Sequence, residues 1–175
     1  MKSRTNFFKM ALTLDVTYFQ FIESTYGMWK IEATEEGVSR ISFNKDIVSH
    51  PDSNPSDFTQ EAFIQLNNYF RGTLRRFDLP LDLRSGTEFQ QKVWKEVTYI
   101  EYGETTSYLK IAKEIGSPQA VRAVGTANGA NPIPIVVPCH RIIGSNGNLT
   151  GYVYGLELKN DLLKLEGAIP KTLFD

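Results

Sequence analysis

Residues 16–23 (VTYFQFIE), 28–34 (MWKIEAT) and 38–43 (VSRISF) are dense in β-branched and aromatic side chains and predict three strands. Glu35-Glu36-Gly37 supplies a turn between the last two. Residues 46–57, with Pro51, Pro55, Asp and Ser, read as a loop. The period then changes. Phe58, Ala62, Leu66 and Tyr69 recur at helical spacing, and Arg71-Gly72 closes that helix. Residues 77–88 (FDLPLDLRSGTE) form an extended connection to a second unit.

From Phe89 the chain is mainly helical in pattern. Phe89, Val93, Val97 and Ile100 make one stripe with Trp94 beside it, and Gly103 breaks it. Thr105 to Ile115 suits a second helix. Ser117 as cap and Pro118 at the first helical position predict a third, running to about Asn128. Helix, short glycine turn, helix is a helix-turn-helix pattern, a weak signal by itself. Residues 133–137 (IPIVV) are a short apolar strand or extended segment between prolines, and 144–151 a Gly/Ser/Asn loop. Leu158, Leu162 and Leu165 mark a last helix ended by Gly167.

Composition narrows the classes. The chain has 175 residues, 41% hydrophobic and 22% charged, as in ordinary globular proteins. No apolar run approaches the ~20 residues that span a bilayer, so no membrane partner is expected. The N-terminal apolar stretch is short and broken by Lys9 and Asp15; it reads as a tail, not a signal peptide. Cys139 is the single cysteine, which excludes an internal disulfide and a multi-cysteine zinc cluster and points to a reducing, cytoplasmic setting. The net charge of −1 argues weakly against nucleic acid. Between 105 and 153, however, Lys110, Lys113, Arg122 and Arg141 face only Glu114.

The chemistry-bearing stretch is "PCHRII", 138–143. A thiol becomes a nucleophile when its thiolate is stabilised, an imidazole can take its proton, and a carboxylate can orient that imidazole. Cys139 and His140 supply the first two, and Glu166 is a candidate for the third. In a regular strand the first two side chains would point to opposite faces, so the pair needs a turn at Pro138 or a bridging water. Taken alone, a Cys-His pair is more often a small buried residue beside a satisfied histidine.

The wider context changes that weighting. "NPIPIVVPCHRII" (131–143) resembles the active-site signature of the O6-alkylguanine-DNA alkyltransferases, the methylated-DNA–protein-cysteine methyltransferases. Residues 86–134 and 149–167 resemble the rest of that family's C-terminal domain. "NYFRG" and "FDLPL" extend the likeness more loosely into the first half.

The resemblance implies an α+β protein. A small N-terminal α/β domain, residues 1–85, would hold a three-stranded antiparallel sheet of ribonuclease H-like type. A mostly helical C-terminal domain, 86–175, would carry a winged helix-turn-helix-like DNA-binding unit. The implied activity is repair of double-stranded DNA by irreversible, single-turnover transfer of an alkyl group from O6-alkylguanine, with O4-alkylthymine as a further candidate, to Cys139. The base would flip out of the duplex into a cavity floored by the thiolate. His140 would act as base through a water, Glu166 would orient it, Tyr108 would donate to guanine N3, and Asn131 would brace the turn. Arg122 would replace the flipped base, on a helix whose Gln119, Ala120, Ala123 and Gly125 permit close approach in the minor groove. Tyr152, Val153 and Ile142 would line the pocket. The protein would act as a monomer without cofactor.

This chain departs from parts of the family. The first half has no cysteine and one histidine, His50, so the structural zinc of some relatives is not expected. There is no room for the second, phosphate-repairing domain of others, and Cys139 excludes the lesion-binding relatives that lack the cysteine. Two other classes stay open from the residues: a regulatory helix-turn-helix protein sensing alkylation or oxidation, and a cysteine hydrolase using Cys139 and His140.

Overall fold

The computed structural model describes residues 18–45 and 52–170. The N-terminal tail, His50 and the first part of the 46–57 loop lie outside the described residues.

Three strands, β1 (Tyr18–Ser24), β2 (Gly27–Ala33) and β3 (Val38–Asn44), form an antiparallel meander in the order β1-β2-β3. Ser24 pairs with Gly27 across a two-residue turn. There the Ser24 hydroxyl donates to the Gly27 carbonyl and accepts from Trp29 Nε1. Helix α1 (Asp57–Phe70) begins at a capping box. Ser56 Oγ accepts from the Thr59 amide, and Thr59 Oγ1 accepts from the Ser56 amide. Its Ala62, Leu66 and Tyr69 are fully buried against the sheet side of the core.

The 77–83 connection is not free. Val38 N–H donates to Pro80 O, and Asp82 N–H donates to Val38 O, so Leu81 extends the sheet beyond β3. Gly37 sits at this seam with φ of 149°, and a Cβ there would press on the Pro80 carbonyl. Gly37→Ala is expected to cost about 2 kcal/mol or more, read as a lower Tm with an unchanged cooperative transition.

Helix α2 (Glu88–Val97) starts at a Thr87–Gln90 capping box, and Trp94 Nε1 donates to Ala127 O at 2.7 Å. Thr106–Ser107 (β4) pairs in parallel with Ile142–Ile143 (β5). Helices α3 (Tyr108–Glu114), α4 (Val121–Gly129) and α5 (Leu156–Leu165) complete the chain. One hydrophobic cluster runs from Ile31 and Ile41 through Leu66, Val97 and Ile133 to Leu162. The two halves are also joined directly, since Ile41 N–H donates to Pro132 O at 2.9 Å. No helix among the described residues is long and apolar enough to cross a membrane.

Two expectations need correction. The second helix starts at Tyr108, not Thr105, because Thr106 and Ser107 are taken by β5 and the Ser107 hydroxyl caps α3 by accepting from Lys110 N–H. Ser117 does not cap the third. Gly116, at φ of 73°, ends α3 and donates to Lys113 O, while Ser117 N–H donates to Ala112 O. The Ser117 carbonyl then accepts from Ala120 N–H, and the resulting turn delays α4 to Val121. Gln119 and Ala120 therefore precede the helix.

Candidate active site

Cys139, His140 and Arg141 form a single 3-10 turn after Pro138, all three buried. The turn brings neighbouring side chains to one region, which a strand would not. The segment before it is unusual: Ile135, fully buried and β-branched, has φ of 74°. Asn131 holds this segment. Its Nδ2 donates to Val137 O at 2.8 Å and its Oδ1 accepts from Ile133 N–H at 3.0 Å. Asn128, on α4, donates to Cys139 O at 3.2 Å.

His140 Nε2 lies 2.8 Å from Glu166 Oε1. A carboxylate can only accept, so the neutral imidazole carries its proton on Nε2. Nδ1, which has no hydrogen-bond partner among the described residues, keeps its lone pair. Burial pushes His140 below the ordinary histidine value despite the Glu166 contact.

Glu166 caps the C-terminus of α5 and is buried in a dense set of donors. Arg141 Nε and a terminal nitrogen donate to it at 2.8 and 2.9 Å, Tyr69 Oη at 2.6 Å and Gly103 N–H at 3.4 Å. Burial alone would raise its carboxyl, but His140 and Arg141 outweigh that and hold it at about 2. Arg141 also donates to Ile100 O. Lys159, with no exposed surface, donates to Ile142 O and Thr150 O at 2.6 and 2.7 Å and so ties down both ends of the 143–150 loop; burial lowers it to about 8.

The resting thiol is not anionic, contrary to the expectation of a waiting thiolate. Burial pushes Cys139 up to about 11, against the pull of Asn131 and the Lys159 charge. Cys139 is only 3% exposed. A cleft of about 630 Å³ is lined by Tyr99, Tyr102, Val136, Pro138 and Arg141, and not by the thiol.

The other expected residues fall as follows. Arg122 and Ala123 are exposed on α4, Val124 is buried, and Gly125 lies against the Tyr108 ring. Tyr108, half-buried, begins α3 and places its hydroxyl 3.5 Å from Thr150 O, near the closing loop. Tyr152 is half-buried with a hydroxyl that has no partner among the described residues, and Val153 is 65% exposed. Ile142 has no exposure and packs in the core, so its side chain does not reach a pocket surface. Tyr154 stacks edge-on to Trp29 and Phe43 and fastens the loop to the sheet. The pattern reading missed Tyr69, Asn128 and Lys159. No local signal marks them, because their partners lie on other elements.

The same chemistry recurs in known proteins. The family model described as the ribonuclease-like domain of 6-O-methylguanine DNA methyltransferase matches residues 17–83, and its DNA binding domain matches 88–168. The methylated-DNA–protein-cysteine methyltransferase of Methanosarcina acetivorans is 49% identical over 86% of this chain and 99% of its own. That of Mycobacterium bovis is 58% identical over 65% and 70%. The crystal structure of the Mycobacterium tuberculosis O6-methylguanine methyltransferase superposes with a TM-score of 0.76 at 43% identity, covering 91% of this chain and 99% of that one. A second structure of that protein, in complex with DNA, gives 0.77 at 45% identity over 86% and 92%. The chain belongs to the methylated-DNA–protein-cysteine methyltransferase family.

Proposed function

We propose that this protein repairs double-stranded DNA by moving the alkyl group of O6-alkylguanine onto Cys139, once per molecule. The observation that carries this reading is the turn that sets Cys139 next to His140, whose Nε2 meets Glu166, with Asn128 of α4 holding the Cys139 carbonyl and an exposed face of α4 without acidic residues. Cys139 Sγ forms a bond to the alkyl carbon, the carbon–O6 bond breaks, and its electron pair leaves with guanine. The thiol proton passes to His140 Nδ1, directly or through water, and ends on guanine. The product thioether does not revert.

The thiol's position at about 11 decides how this must run. Burial favours the protonated thiol at neutral pH. His140 therefore takes the proton as the base arrives, and Glu166 stabilises the imidazolium. In this reading Tyr108 donates to the leaving base, and Tyr152 and Val153 border it. Asn131 holds the turn. Ile142 contributes through its carbonyl, which anchors Lys159. Gln119, Ala120, Ala123 and Gly125 give the approach to the backbone, with Arg122 entering the duplex.

This reading divides the chain at 85/86, and the change from strands to helices supports it. It places a cofactor-free monomer in the cytoplasm, where a free thiol persists. Single turnover is tested by titrating the protein with an O6-methylguanine duplex. One equivalent transferred per chain supports the reading; many turnovers would replace it with a hydrolase. Arg122→Ala is expected to slow transfer from the duplex at least about tenfold, with transfer from free O6-methylguanine base unchanged; equal loss on both substrates would remove Arg122 from the DNA interface.

A further inference from the structure

Glu166 is shared between the two halves of the chain. From the second half it accepts from His140, Arg141 and the Gly103 amide; from the first it accepts from Tyr69. Tyr69 Oη reaches Oε1, the same oxygen that His140 Nε2 uses. The Arg141 terminal nitrogen donates to that same oxygen at 2.9 Å, so Tyr69 and His140 draw, with Arg141, on one oxygen's charge. The Tyr69 ring is fully buried, packed by Phe70, Phe77 and Tyr102 with centroids 5.5–6.2 Å away. A phenylalanine would keep that packing, so the hydroxyl is not needed to fill the core. The phenol is held well above its ordinary value by burial and by the Glu166 charge, and it stays a neutral donor.

We propose, taking Cys139 as the acceptor described above, that Tyr69 is a positioning residue which sets the base strength of His140 through Glu166. A carboxylate that gives part of its charge to a phenol has less left to stabilise an imidazolium. Tyr69 thus keeps His140 neutral, with Nδ1 ready for the thiol proton, down to lower pH than Glu166 without it would permit. The groups around the His140–Glu166 pair are Lys159 from α5, Cys139 and Arg141 from the turn, Tyr102 ahead of β4, Tyr152 from the loop and Tyr69 from α1, the three tyrosines facing Glu166. Of these, Tyr69 is the contribution of the sheet-bearing half.

Tyr69→Phe tests this. In a His50→Gln background the NMR titration of the His140 ring is expected to move to higher pH. The ratio of single-turnover transfer rates at pH 8 and pH 6 is expected to grow about threefold. A fluorinated tyrosine at position 69, a stronger donor, moves both readouts the other way and serves should the phenylalanine variant not fold. An unchanged ring titration in either protein, whatever the Tm, overturns the proposal and leaves Tyr69 a packing residue. A shifted titration in a protein that never methylates Cys139 supports the coupling and refutes the assigned function.

Discussion

Replacing Cys139 by alanine is expected to abolish alkyl transfer and to leave binding to duplex DNA intact. In the proposed reaction the sulfur is the atom that bonds to the alkyl carbon, and no other thiol exists in the chain to substitute for it. The exposed face of α4 does not involve Cys139, whose backbone carbonyl, held by Asn128, is retained in the variant. Peptide mass analysis after incubation with an O6-methylguanine duplex should show one added methyl on the peptide containing residue 139 of the wild type and none in the variant. A methyl on another peptide would remove Cys139 as acceptor. Loss of duplex binding together with transfer would make the cysteine a structural residue.

Glu166→Gln has the largest expected effect on stability. The amide keeps the shape but leaves the Arg141 guanidinium without a counter-charge in a buried setting. Breaking such a pair costs about 3–5 kcal/mol, which lowers Tm by roughly 10 °C in a chain of this size. Transfer should slow by at least about a hundredfold, because the imidazolium loses its stabilising charge. The pH dependence has a definite sign. The folded carboxyl titrates at about 2, below its ordinary 4.5, so its stabilisation is complete above 4.5 and is lost as pH falls towards 2. The gap in stability between wild type and variant should therefore narrow across that window in urea or thermal melts. A constant gap would mean that Glu166 acts by shape and not by charge.

Much of the fold was readable locally. The three strands, α1, α2 and α5 follow from side-chain periodicity, with ends that differ by up to three residues where they are described, α2 stopping at Val97 short of Ile100. The failures are instructive. Ser117-Pro118 looks like a helix start, but the peptide N–H of Ser117 was already needed to close α3. Thr105 to Ser107 has no strand signature, and β4 exists because β5 arrives beside it. The site was legible where its residues are contiguous. Asn131 through Glu166 span a recognisable block, and the turn at Pro138 follows from that proline. Ile142 was misplaced because an apolar residue next to a signature can face either the pocket or the core, and the pattern does not say which.

Local sequence determined the order of the elements and set the proposed nucleophile next to its imidazole, since these depend on residues a few positions apart. Only the tertiary structure decided that the thiol rests protonated, that Glu166 stays ionised, and that Tyr69, 97 residues away, shares its charge. Those properties come from desolvation and from charges within hydrogen-bond reach, and both depend on what the folded chain packs around each group.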